Sequence, residues 1–172
     1  PERVYRAFLD ADGMAKWLPP YGFTGKVHHM DAKVGGTYKM SFTNFTTGRS
    51  QSFGGAYLEL TPHTRIRHSD AFDDANLPGE MQTTITLKQV SCGTDLSIVQ
   101  EGIPDMIPAE ACYLGWQESL ILLAKLAQAE VGPVHIAADI GCHALATFEP
   151  FSSGNSILGY GMSLASRAGV SP

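Results

Sequence analysis

At 172 residues, with 12 Lys+Arg against 17 Asp+Glu and a formal net charge of -5, the chain has the size of one domain and no basic stripe for a nucleic-acid backbone. A chain this long buries about two-thirds of its unfolded surface without disulfides. Cys92, Cys112 and Cys142 cannot all pair and match no zinc motif, which favours reduced thiols in a cytoplasmic protein.

Pro1-Glu2-Arg3-Val4 has the composition of a helix start, with an acidic residue at the positive end of the dipole. Val4, Ala7, Phe8 and Ala11 follow at helical spacing. Asp12 is placed to cap a second short helix through Trp17 and Leu18, and Pro19-Pro20 stops it. No secretory signal is read at this start, although an upstream segment is compatible with a chain that opens on Pro1.

From Thr24 the apolar residues change to period two, which predicts strands near 24–31, 36–45, 51–60, 64–72, 81–90 and 94–102. Gly35-Gly36, Thr47-Gly48, Thr61-Pro62, the acidic stretch Asp73 to Gly79, and Ser91-Cys92-Gly93 supply the turns. Connections this short hold no crossover helix, so the sheet is expected to be an antiparallel meander. Tyr38, Met40 and Phe42 alternate with Thr37, Lys39 and Ser41, as Ile85 and Leu87 do with Thr84 and Thr86. Such one-sided strands need an apolar cover.

Pro108 to Glu130 supplies it as the longest helix, with Cys112/Tyr113, Trp116, Leu120, Leu123 and Ala127 along one stripe and Gly132-Pro133 as its stop. No apolar run reaches the ~18 residues of a bilayer span. The pattern therefore predicts an α+β domain over residues 1–131, a sheet against a helix. Residues 132–172 are rich in Gly, Ser and Ala and weakly periodic, the composition of a flexible tail. The alternative is that 134–140 or 143–149 adds a strand.

Four stretches in order, PERVYRAFLDADGMAKWLPP, DAKVGGTYKM, GGAYLELTPHTRIRHSD and YLGWQESLILLAKL, resemble bacterial proteins related to the activator of the heat-shock protein 90 ATPase. That family lies within the SRPBCC, or START-like, superfamily, and the resemblance covers about residues 1–131. It implies a helix-grip (START/Bet v-like) fold, in which a curved antiparallel sheet wraps a long C-terminal helix behind two short helices. The family fold begins with a strand before its first helix. None precedes Pro1, so the chain is expected either to be a fragment or to use its tail in that place.

A curved sheet and one helix rarely fill the space between them, so the inward residues become candidates for a ligand cavity. These are Trp17, Tyr38, Met40, Phe42 and Tyr57, then Ile85, Leu96, Ile98, Tyr113, Trp116 and Leu120. Each is also an ordinary core residue. His68 and Asp70 share a strand face with Ile66 and would join them if that face is inward, where a histidine beside a carboxylate titrates near neutrality or orients a polar ligand group.

Other candidates read as structure. His28-His29 are adjacent on a strand, point to opposite faces and cannot chelate together, while His63, His135 and His143 lack ligand-spaced partners. The acidic stretch lacks the glycine and ligand alternation of a calcium loop and reads as a solvated turn. Gly54-Gly55 inside a strand marks a bulge or sharp bend rather than a phosphate loop. Glu110 and Gln117 flank the apolar stripe of the long helix, and Cys112 reads as a small buried hydrophobe. No metal or cofactor is expected.

The function expected is binding of a small hydrophobic or aromatic molecule, by a monomer or homodimer, without a dedicated catalytic residue. The resemblance implies two alternatives: a co-chaperone-like regulator of the heat-shock protein 90 ATPase, and a polyketide cyclase- or aromatase-like enzyme in which His68 and Asp70 would form the dyad.

Overall fold

The structure, a computed structural model, describes residues 1–91 and 93–129, and beyond them the backbone of three strands within 143–167. Cys92, Gly132-Pro133, His135 and Cys142 lie outside the described residues.

Helix α1 spans Glu2–Ala7 and α2 spans Ala11–Trp17. The cap of α2 is Asp10, not Asp12: Asp10 has extended backbone, and its carboxylate accepts the Gly13 N–H at 2.6 Å. An N-cap must stand just outside the first helical residue, whereas Asp12 lies within the first turn. Ala11 accordingly begins the second helix instead of extending the first. Trp17 closes this corner, 1% exposed, with its indole N–H donating to the Ala7 carbonyl at 2.9 Å and its ring edge-on to Phe8.

Six strands follow: β1 (Phe23–Met30), β2 (Thr37–Asn44), β3 (Ser50–Thr61), β4 (Arg65–Phe72), β5 (Met81–Val90) and β6 (Gly93–Glu101). Each pairs antiparallel with the next, giving the curled meander that short turns and period-two alternation predict. β1 carries a bulge between Val27 and His29. Because of it, His28 reaches Ser41 Oγ (2.8 Å) and His29 reaches Thr37 Oγ1 (2.9 Å), two hydroxyls on one face of β2. Simple alternation, which puts the two rings on opposite faces, fails there because a bulge adds a residue to one strand only.

Helix α3, Ala109–Gln128, crosses the concave face. Its Leu120 and Leu123 share one core with Met40, Ile66, Ile85 and Leu96, all at or below 1% exposure. Burying such a side chain contributes about 1.5–3 kcal/mol.

Beyond α3 come β7 (His143–Leu145), β8 (Phe148–Ser152) and β9 (Ile157–Arg167). β9 lies antiparallel on β6, from Gly93 opposite Ala165 to Glu101 opposite Ile157. β7 and β8 pair with β9 and not with the meander. Of the two segments weighed as added strands, 134–140 lies outside the described residues and 143–149 is divided between β7 and β8. The strand that meets β6 comes from further along, where Leu158, Tyr160, Met162 and Leu164 alternate in sequence with small residues.

Candidate functional site

The sheet and α3 do not close everywhere. An open cavity of about 1310 Å³ lies between them, walled by Tyr38 and Phe42 of β2, Phe53 of β3, and His68, Asp70 and Phe72 of β4. Met81 and Gln100 add to the wall from β5 and β6, and Phe8, Met14 and Leu18 from the N-terminal helices. What α3 presents is small apart from one ring: Ala111, Cys112, Gly115 and Ser119 beside Trp116. A Cβ placed on Gly115 would meet nothing within 4 Å. The void exists because this end of α3 has little side chain to fill it.

A compact polar cluster interrupts the apolar wall. Tyr38 stands opposite Gly55 in the β2–β3 register, and Gly55 offers no side chain to block its ring. The phenol therefore passes over β3 to β4, where its oxygen lies 3.1 Å from His68 Nδ1 and 3.1 Å from the Ser69 carbonyl, and hydrogen-bonds Asp70 Oδ1. Thr83 Oγ1 donates to Asp70 Oδ2 at 3.0 Å, and His68 Nδ1 lies 3.1 Å from the same oxygen. β3 is also pressed close to β4 here: a Cβ on Gly55 would sit 1.9 Å from the Ser69 carbonyl oxygen, and the Ala56 N–H donates to the Ser69 hydroxyl at 3.2 Å. The Gly-Gly pair thus serves close approach, and the β3 bulge falls later, between Tyr57 and Glu59.

Burial sets the charge of this cluster. It pushes the Asp70 carboxyl up to about 7, with Thr83's hydrogen bond opposing and the nearby Glu80 charge adding to the rise. It pushes the His68 imidazole down to about 4, against the Ser69 carbonyl. Removing water disfavours whichever form is charged, so acid and base move in opposite directions. The Tyr57 phenol, against the rings of Tyr38 and His68, is pushed up to about 12 by the same cause.

Of the residues singled out in the sequence, Tyr38, Phe42, His68, Asp70 and Trp116 come together in the cavity wall. Trp17, Met40, Tyr57, Ile85, Leu96, Ile98 and Leu120 do not: each is at most 4% exposed and belongs to the filled core. Tyr113 packs against that core, and neither Glu110 nor Gln117 reaches the wall. His68 and Asp70 occupy the inward face, the condition under which the sequence admits them to the cavity candidates.

Several wall residues escape the period-two reading. Gln100, on the wall, accepts the Trp116 indole N–H at 3.1 Å, and Thr83, the buried donor to the wall residue Asp70, is 1% exposed, although both are polar. Phe53 and Phe72 stack edge-on to their neighbours Phe42 and each other. The acidic turn borders the cavity through Asp73, Asp74 and Leu77, with Asp73 paired to Lys39 at 2.7 Å. Among the described residues no group of three or more His, Cys, Asp or Glu could hold a metal, and no helix is long and apolar enough to cross a membrane.

Comparison with known proteins gives this arrangement a lineage. No curated protein matches the chain. A solved structure from Chromobacterium violaceum shares 65% identity, covering 76% of this chain and 90% of its own, with a TM-score of 0.75. A Rhodobacter sphaeroides protein at 24% identity (72% and 81% covered, TM-score 0.62) and an AHSA1-like protein from Aeromonas hydrophila at 20% (78% and 90%, TM-score 0.58) have the same fold. Residues 1–128 match the family described as Activator of Hsp90 ATPase homolog 1-like protein. Since that span runs from α1 to the last residue of α3, the chain belongs to this family of the SRPBCC superfamily.

Proposed function

We propose that the domain binds a small hydrophobic or aromatic molecule in the cavity between the sheet and α3. One observation carries the reading: Phe42, Phe53, Phe72, Met81 and Trp116 surround a space that α3 leaves unfilled, with polar groups gathered at one place. Ligand sites have this composition, apolar walls for affinity and a few convergent polar atoms for orientation. Aromatic walls add flat contact area at small conformational cost. Ligand-observed NMR with an uncharged aromatic such as 2-methoxynaphthalene tests it. Saturation transfer to the probe, with chemical-shift changes at Trp116 and Phe53, is the expected result. Shift changes confined to the outer sheet face would refute it.

Acid–base chemistry on the bound molecule is a second reading, favoured by the buried His68–Asp70 contact. A polyketide cyclase-like reaction would use the pair to move a proton within the cavity. His68→Ala would then abolish turnover of an aromatic polyketide substrate that still enters the cavity; unchanged turnover removes the pair from any reaction.

A further inference from the structure

The polar cluster leaves one atom over. His68 Nδ1 is surrounded by oxygens: Tyr38 Oη at 3.1 Å, the Ser69 carbonyl at 3.4 Å and Asp70 Oδ2 at 3.1 Å. The Ser69 carbonyl can only accept, and at pH 8, above the value of about 7 to which Asp70 is pushed, its carboxylate can only accept as well, so Nδ1 carries the ring proton. In a neutral imidazole the other nitrogen is then a bare acceptor. Among the described residues no hydrogen bond reaches His68 Nε2, although the ring forms part of the cavity wall and its side chain is only 13% exposed. A buried acceptor without a partner is costly, and a group on the cavity's occupant can satisfy it.

We propose that the molecule held in this cavity ends in an uncharged hydroxyl, a phenol or enol, that donates its proton to His68 Nε2, and that carboxylate analogues are rejected.

The inference rests on the apolar-ligand reading above and adds the identity of the ligand's polar end. The charges around the cluster agree with it. Asp70 lies at the cluster itself, with Glu80 near it, and Asp73 and Asp74 border the cavity from the turn between β4 and β5. Arg49, exposed ahead of β3, is the one cation among the lining residues, while Lys39 of β2 is taken by Asp73. α3 lines the space with uncharged residues. Burial holds the His68 ring neutral, so it brings no positive charge to meet an anion. A carboxylate seated at Nε2 would lose its water, find no cation and face Asp70.

Three probes of one shape separate the contributions: 2-naphthol, 2-methoxynaphthalene and 2-naphthoate, titrated calorimetrically into the full chain at pH 8. The naphthol, uncharged at that pH, is expected to bind at least about tenfold tighter than the ether, which cannot donate, and than the anion. His68→Phe is expected to level naphthol with the ether while leaving the ether's affinity within about threefold. The wild-type series decides the matter even if the variant fails to fold. Binding of all three with no advantage to naphthol, or with naphthoate tightest, overturns the hydroxyl assignment and leaves the apolar cavity standing. If none of the three binds, the cavity reading fails and the hydroxyl assignment fails with it.

Discussion

Towards its C-terminal end α3 meets the sheet with Leu120 and Leu123, at 1% and 0% exposure, and the interface there is solid. Towards its N-terminal end the same helix brings Ala111, Cys112, Gly115 and Ser119, and the interface opens. The sheet is apolar across both regions, with Met40, Ile85 and Ile98 in one and Phe42, Phe53 and Phe72 in the other. Hydrophobicity therefore does not separate core from cavity in this molecule. Side-chain volume on the helix does, because a void is left wherever the atoms opposite are too few to fill it.

The largest effect is expected from making the solid region resemble the open one. Leu123→Ala removes a fully buried side chain from a place where large neighbours surround it. Loss of transfer energy plus the cavity left behind should lower stability by about 2–5 kcal/mol, read from urea midpoints. Shortening a side chain where packing is already loose costs less, because the site has less contact to lose. A change under about 1 kcal/mol at Leu123 would mean that the region is not close-packed and that the contrast is false.

Charge offers a second contrast, since the titrating pair belongs to the open region. His68 falls from 6.5 to about 4 in the fold, so its share of stability is present above pH 6.5 and is lost as pH drops through 4. Asp70 rises from 3.8 to about 7, so its share is present below pH 3.8 and is lost as pH rises through 7. Between pH 4 and 6.5 the folded pair holds one proton, on Asp70, and the unfolded pair also holds one, on His68. The pair therefore contributes almost no pH dependence in that window. Removing either partner should expose the other: Asp70→Asn gains stability with rising pH, and His68→Gln loses it, each by at most about 1.4 kcal/mol per pH unit. Urea unfolding at pH 4.5, 5.5 and 6.5 checks the signs. Parallel profiles for the wild type and both variants would show that the two groups do not titrate as a buried pair.

These contrasts also explain what the sequence does and does not disclose. Alternation such as Tyr38-Lys39-Met40 identifies which face of a strand is inward, and glycine and proline mark where strands end, so the meander is legible almost to the residue. Alternation carries no information about depth. Ile85, Leu96 and Ile98 carry the same inward pattern as Phe42, yet they share the filled core with Leu120 and Leu123 while Phe42 borders open space. The signal that locates the void is the run of small residues at 111, 112, 115 and 119, one helical stripe of low volume. The Tyr38 link to Asp70 was hidden for another reason, since it depends on a missing side chain at Gly55 on the intervening strand. β9 has an alternating sequence of its own, masked by the glycine and serine content of the surrounding tail.

The smallest expected change in stability accompanies the most direct test of the contrast. Gly115 sits inside α3, where glycine is about 1 kcal/mol worse than alanine because it loses more backbone freedom on folding. A side chain there meets no atom within 4 Å of its Cβ, so Gly115→Leu should enter the cavity without strain and place leucine where the solid region already has it. Stability should rise by about 1 kcal/mol from helix propensity alone. Affinity for 2-methoxynaphthalene should fall at least about tenfold, as the new side chain occupies the volume that the probe needs. Because the variant is expected to be more stable than the parent, lost binding cannot be put down to unfolding. Undiminished affinity in a stabilised Gly115→Leu protein would mean that the ligand sits elsewhere, and that the low volume of this end of α3 serves no molecule at all.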